Sequence, residues 1–398
     1  MENYSERKKI LVLSLTAFLI RIAFIFTLKN EVYFADEFEY YRIVQNFLSG
    51  NGFFVSEELK GFRPPLYPLL LSILYFLKFN LFGIRIFQCF ISSITVCLTY
   101  LAAKKLFSEK VALWSGIISV IYPFFIFYNG FLLTETLFVF LVLLVIYNLI
   151  NLTEKTSSWI KAGISLGLAG LCRPTMQLYL PIALIHLLCD KEQWKIKIKK
   201  ILFISFFFSL TLSPWILRNY LVFDRFIPGT TMGGRVFWEG NNPYSNGGPC
   251  RYFPVEIEKL PEIERDVAYY KKTIDIIKEN PARFLWLLQN KFKRFWNVIP
   301  NASEFTKPLY LLISVMSFGI MMPFFVLGFL LTFKNKKAQF IHSLIILFTI
   351  FHIIFLASIR YRIPLEPFYI IFSVYGFFWL VNGTFGIINR GVITRREK

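Results

Sequence analysis

Eleven apolar segments recur from end to end of this chain, at roughly 10–28, 64–82, 84–103, 111–127, 131–151, 158–172, 174–189, 199–217, 308–331, 338–357 and 363–387. About 20 apolar residues in a helix match the ~30 Å hydrocarbon thickness of a bilayer. A barrel of the outer-membrane kind would instead show segments of about 10 residues with alternating polarity. Of the 398 residues, 56% are hydrophobic, including 47 Phe and 20 Tyr, above the 45–50% of an average soluble domain. The expected fold class is therefore an all-α polytopic membrane protein.

The formal net charge is +19. On a soluble domain that would suggest a nucleic-acid partner. Here the cations cluster between apolar segments, as topology signals do, so no nucleic acid is expected. The clusters are Arg7-Lys8-Lys9, Lys104-Lys105 with Lys110, Lys155 with Lys161, Lys191 through Lys200, Lys334-Lys336-Lys337 and Arg395-Arg396-Lys398. If all six lie on the cytoplasmic side, an even number of crossings must separate each from the next. Three apolar segments lie between the first two clusters, so one of them does not cross. The segment 64–82 is the one, because it begins Pro64-Pro65 and contains Pro68, Lys78 and Asn80. Irregular backbone of that kind is tolerated where it packs against protein. About ten spans follow, with both termini cytoplasmic and an uncleaved first span after "ERKK". The expected organisation is an N-terminal transmembrane module over 1–217 with a first outer loop over 29–83. A long outer loop over 218–306 carries amphipathic helices, and C-terminal spans occupy 307–398.

Charged residues in or beside spans are costly and mark function, and in this topology they gather on the outer side. Asp36 and Glu37 open a helical pattern that includes Tyr40, Tyr41, Ile43, Val44, Phe47 and Leu48. Asp is a favoured helix N-cap, so capping is the competing account of Asp36. Arg63, Arg173, Arg218, Arg360 and Arg362 fall at the outer ends of apolar segments, Arg85 lies near one, and Glu135 starts another. Each cation alone could be an interfacial anchor. Together they outline an anion site beside a carboxylate, with apolar walls. Arg21, inside the first span, is expected to pair with an acidic group. Four cysteines lie in apolar segments and only Cys250 in a polar loop, which leaves no disulfide framework. His186, His342 and His352 fall in three separate spans and form no zinc pattern.

The ordered motifs resemble the GT-C superfamily of lipid-carrier-dependent glycosyltransferases, in its protein O-mannosyltransferase and lipid A aminoarabinose transferase branch. They are the Asp-Glu pair after the first span, "RPPLYP" from Arg63, "LAAKKLFSEKVALWSGIISVIYP" from Leu101 and "TETLF" from Thr134. "LCRP" from Leu171, "SPWILRNY" from Ser213, "GNNP" from Gly240 and "RYRIPLEP" from Arg360 complete the set. The resemblance implies a GT-C-like bundle and transfer of a sugar, with inversion, from a polyprenyl phosphate to an acceptor hydroxyl on the outer face of the cytoplasmic membrane. The acceptor is a lipid, a glycan or a protein. A polyprenyl phosphate leaves as a stable anion, so cations stabilise it and no acid is needed. One carboxylate then deprotonates the acceptor. Asp36 is the expected base, with Glu37 beside it. Arg63, Arg218, Arg360 and Arg362 are the expected phosphate clamp, since a guanidinium fork grips two oxygens, with Arg85 and Arg173 behind them. Tyr40, Trp238, Glu239, Asn241 and Asn242 are expected to contact substrate. Asp36 and Glu135 could together hold a divalent cation, magnesium or manganese. The "FLWLLQNKFKRFW" segment is expected to lie in the interface with Trp286, Phe292, Phe295 and Trp296 toward lipid.

Two other classes compete. A polymerase or ligase of lipid-linked glycans would place its main outer site on a late loop. A transporter would show internal repeats and polar groups near mid-membrane, and no repeat is evident here.

Overall fold

The computed structural model describes residues 2–301 and 307–396, with side chains described from Tyr4 to Asn382 within those limits. The cationic tail at Arg395-Arg396-Lys398 therefore lies outside the described side chains. The chain is a multi-pass helical membrane protein, and among the described residues the only β-pairing is an isolated bridge between Ser56 and Leu59. Among the described residues, five helices are long and apolar enough to cross a membrane: Leu81–Leu106, Trp194–Phe223, Pro308–Leu331, Lys336–Ile354 and Ile359–Asn382. The pair Glu109–Ile121 and Pro123–Gly130, bent by 48°, makes a sixth if taken as one span. The figure of ten spans also counted shorter helices such as Glu135–Ile150 and Pro174–Leu188. The Leu66–Phe76 helix has 11 residues, about 16 Å at 1.5 Å per residue. It is too short to cross.

Small residues set the close helix pairs. A Cβ at Gly163 would lie 2.6 Å from the Ile204 carbonyl oxygen, and one at Gly167 2.6 Å from Thr211 Cβ. The Thr156–Cys172 helix can therefore lie against Trp194–Phe223 backbone to backbone, as small-residue pairs allow in membranes. Gly328 and Gly376 do the same between Pro308–Leu331 and Ile359–Asn382, where added Cβ atoms would meet the Phe372 and Phe324 carbonyl oxygens.

Arg21 is fully buried but, among the described residues, has no acidic partner, against expectation. Its guanidinium donates to Ser92 Oγ at 2.8 Å and to the carbonyls of Ala17, Ser119 and Val120 at 3.0–3.1 Å. The reason lies in Pro123, two residues past the end of the Glu109–Ile121 helix. Proline has no N–H to give the Ser119 carbonyl four residues back, and buried carbonyls need donors. Arg21 supplies them.

The Ala35–Leu48 helix buries Glu37, Tyr40, Ile43 and Val44, a stripe at helical spacing. It packs on Leu66–Phe76 with the Tyr40 and Tyr67 rings 5.1 Å apart, edge to face. Downstream, Glu262–Glu279 ends before Pro281, which starts a new helix, Pro281–Phe295, capped by Asn280 Oδ1 accepting from Arg283 N at 2.9 Å. Trp286 and Phe292 on this helix are exposed, as the amphipathic reading requires. Phe295 is not: it is 0% exposed and packs in the core.

Candidate active site

Four backbone ends converge on one cavity of about 590 Å³. Asp36 comes from the first turn of Ala35–Leu48. Arg63 comes from the loop before Pro64-Pro65. Arg173 follows Thr156–Cys172 in an extended conformation, φ −145° and ψ 119°. The preceding-proline clash with Pro174 disfavours helix there. Arg360 lies in the short Ile359–Arg362 turn.

The side chains form one chain of ion pairs. Arg63 bonds Glu39 (Nε to Oε2, 2.6 Å) and Asp36 (Nη2 to Oδ1, 2.7 Å). Arg360 Nη1 donates to Asp36 Oδ2 at 2.7 Å, and its Nε donates to Glu135 Oε1. Arg173 Nη2 donates to the same Glu135 oxygen at 2.6 Å and to Thr134 Oγ1 at 2.7 Å. Three guanidiniums thus alternate with three carboxylates. Glu135 is fully buried at the start of the Glu135–Ile150 helix, where the helix N-terminus also favours its charge. Burial alone would raise the Asp36 carboxyl, but the charges and hydrogen bonds of Arg360 and Arg63 outweigh it and hold Asp36 well below the usual carboxylate range. Tyr40, whose ring lies under the Arg63 guanidinium at 5.3 Å, has its phenol pushed up to about 12, chiefly by burial. Among the described residues, Arg63 Nη1 and Arg173 Nη1 make no hydrogen bond within the protein, and both side chains line the cavity. The remaining wall is largely apolar, with Phe226, Val236, Phe348, Phe351 and Phe355.

The Asp-Glu pair divides its work. Phe34 is the N-cap of the helix, so Asp36 caps nothing. Glu37 does the capping: its Oε1 accepts from Tyr33 N at 2.8 Å and Phe34 N at 2.9 Å, and its Oε2 from Leu132 N at 2.8 Å. A Glu at the third helical position reaching back to the cap N–H is the arrangement of a capping box. Glu37 is 0% exposed and turned away from the cavity chemistry expected of it. Glu37→Gln leaves one amide oxygen for these donors and aims an NH₂ at the third. We expect a loss of about 1–3 kcal/mol, seen as a lower melting temperature in detergent with the specific activity of the folded fraction unchanged.

Other expected site residues lie elsewhere. Arg362 is buried and bonds Glu366 at 2.8 Å and the carbonyls of Phe295 and Asn297 at 3.0 and 2.9 Å. It closes the open end of Pro281–Phe295. Arg85 donates to the carbonyls of Lys29 and Glu31, and Arg218 to the Phe53 carbonyl and Asn219. These three answer backbone carbonyls, the Asn219 side-chain oxygen and the buried Glu366 carboxylate, and none lines the cavity. Trp238 donates to the Tyr252 carbonyl at 2.7 Å. Asn241 donates to the Phe237 and Ile354 carbonyls and accepts from Lys291 Nζ at 2.7 Å. Asn242 donates to the Cys250 carbonyl and accepts from Tyr244 N. The Asn- and Gly-rich loop therefore binds its own chain: a Cβ at Gly240 would sit 1.9 Å from the Phe355 carbonyl oxygen. Glu239 is half-buried near the cavity without lining it, its carboxyl raised by burial.

Asp36 and Glu135 do not suit a divalent cation. Their oxygens already face three guanidiniums at hydrogen-bond distance, and a dication among them would be repelled at close range. Thr134, Tyr361 and His352 line the same cavity and were not singled out by sequence. Thr134 and Tyr361 sit inside motifs that were, next to Glu135 and Arg360. His352 had no such neighbour.

Residues 62–217 match the family described as dolichyl-phosphate-mannose-protein mannosyltransferase. No curated protein matches the chain. Among solved structures, the apo oligosaccharyltransferase of Archaeoglobus fulgidus is similar at TM-score 0.58 and 14% identity, over 98% of this chain and 52% of that one. The same figures hold for the archaeal oligosaccharyltransferase AglB of that organism with an inhibitory peptide and a dolichol-phosphate. A complex of the same enzyme with Zn and sulfate gives TM-score 0.54 and 13% identity, over 97% and 51%. The chain spans about half the length of these structures. The likeness shows that this protein has the GT-C fold its motifs resemble.

Proposed function

We propose that this protein is an integral membrane glycosyltransferase. In this reading it moves a sugar from a polyprenyl-phosphate carrier to an acceptor hydroxyl, with inversion, on the outer face of the cytoplasmic membrane. The observation that carries the reading is a single carboxylate, Asp36, tied to two arginines at the wall of a largely apolar cavity. The matched family's description and the dolichol-phosphate bound in AglB support a lipid-phosphate donor. Arg63, Arg173 and Arg360 are the proposed phosphate clamp. The free Nη1 groups of Arg63 and Arg173 give an anion a first grip before any ion pair opens.

In the reaction Asp36 takes the proton of the acceptor hydroxyl as its oxygen attacks the anomeric carbon. The bond from that carbon to the phosphate oxygen breaks, and the carrier phosphate leaves as an anion held by the arginines. A carboxylate with two guanidiniums on it is a weak base. The donor's phosphate competes for those guanidiniums, so its arrival frees Asp36 and raises its basicity. Charge placement in this way couples donor binding to activation of the base.

The test is sugar transfer by the purified protein in bilayer discs from glycosyl undecaprenyl phosphates, with kcat and kcat/KM followed against pH. Free Asp36 is ionised from pH 5 to 8, so kcat/KM should show no acid limb there. The limb in kcat, which reports the donor complex, should lie at higher pH than that in kcat/KM. The stabilisation from the ion pairs follows the same sign. With the folded carboxyl depressed, it is complete above about pH 4, the unfolded value, and is lost as pH falls below that. No transfer and no binding of undecaprenyl phosphate would overturn the assignment.

A further inference from the structure

His352 lines the cavity near the end of the Lys336–Ile354 helix, yet neither the ion-pair chain nor the proposed phosphate clamp uses it. Its ring stacks on Tyr361, with centroids 4.7 Å apart at 6°, and on Phe295, 5.5 Å apart at 17°. Its Nδ1 lies 3.1 Å from the Leu356 carbonyl oxygen. A carbonyl can only accept, so this bond assigns the proton to Nδ1. In the neutral ring Nε2 is then a bare lone pair. Among the described residues Nε2 has no hydrogen-bond partner, and it is not among the buried polar atoms sealed off without one, so it opens on the cavity. Arg173, the neighbouring cation, gives its hydrogen bonds to Thr134 and Glu135 instead.

A bare Nε2 cannot pair with a phosphate oxygen, because both only accept. It calls for a donor, held in place by a ring that two aromatic neighbours fix. Beside its phosphate, a glycosyl carrier brings one kind of neutral donor, a sugar hydroxyl. We propose that His352 Nε2 accepts a hydrogen bond from a hydroxyl of the donor sugar and so helps set which sugar is carried. The inference rests on the cavity being the donor site. Phe295, expected to face lipid, serves here as part of the ring stack.

The probes are undecaprenyl phosphate and its mannosyl, glucosyl and aminoarabinosyl esters, with affinities measured on the full chain in bilayer discs. The wild type should bind one ester more tightly than the bare carrier. His352→Phe keeps the stack and removes the lone pair. It should weaken that ester about 10-fold, the scale of one hydrogen bond, and leave the bare carrier unchanged. His352→Gln, whose amide oxygen can replace Nε2, should recover most of the loss. Equal weakening of ester and bare carrier would mean a packing role and would overturn the proposal, as would an unchanged ester affinity. If neither variant folds, single-deoxy analogues of the preferred ester on the wild type decide: one should bind about 10-fold more weakly, and uniform binding overturns the idea. Esters that bind no better than a carrier that does bind would sink this inference alone. Failure of the bare carrier and every ester to bind would sink the donor-site reading beneath it.

Discussion

Replacing Asp36 with Asn should lower turnover by about 10²-fold or more while the protein stays folded. The structure removes the main alternative, because Asp36 does not cap its helix; Glu37 does. Asn keeps the size of Asp and one oxygen for an arginine, but it cannot take a proton. Stability should fall only by the part that protonating Asp36 at low pH also removes. Arg63 retains Glu39 and Arg360 retains Glu135, so neither guanidinium is left without a carboxylate. The measurement is radiolabelled sugar transfer by the purified variant, with its melting temperature alongside. A stable and fully active Asp36→Asn protein would remove Asp36 from the mechanism and turn attention to Glu135.

Arg360 should give the largest combined effect on activity and stability. It joins the two halves of the ion-pair chain, with Nη1 on Asp36 and Nε on Glu135. Arg360→Ala leaves the fully buried Glu135 with Arg173 alone. Breaking a buried pair by removing one partner costs about 3–5 kcal/mol, so this variant should lose both activity and thermal resistance. Arg360→Lys separates the two losses. A single ammonium keeps the charge but cannot fork between two carboxylates and a phosphate. We expect a protein that melts near the wild type, with kcat/KM for the carrier-linked donor down about 10- to 100-fold. Arg362→Lys makes the contrast. Its guanidinium serves the Phe295 and Asn297 carbonyls and Glu366, so the loss should appear in melting temperature before donor affinity. Wild-type kinetics for Arg360→Lys would mean that Arg360 is only a strut between two acids.

The segment lengths and their cationic borders determined the fold class, because a bilayer allows little besides helices where backbone must satisfy itself. The Pro-rich start of 64–82 also marked a helix that ends up 11 residues long. The sequence equally determined that Asp36 and Glu37 open a helix, and that arginines stand at the ends of several others. Which arginine meets which carboxylate was a tertiary decision. Asp36 and Arg360 are 324 positions apart and Glu135 and Arg360 are 225 apart, so no local spacing encodes their contact. Arg85, Arg218 and Arg362 are the same residue type at similar helix ends, yet they are drawn to backbone carbonyls or to Glu366 instead. The same holds for the loop asparagines: Asn241 and Asn242 look like sugar ligands in one dimension and cap backbone in three. Glu37 and Asp36 differ by one position on a helix, a turn of about 100°. That rotation puts one carboxylate under backbone N–H groups and the other in front of two guanidiniums.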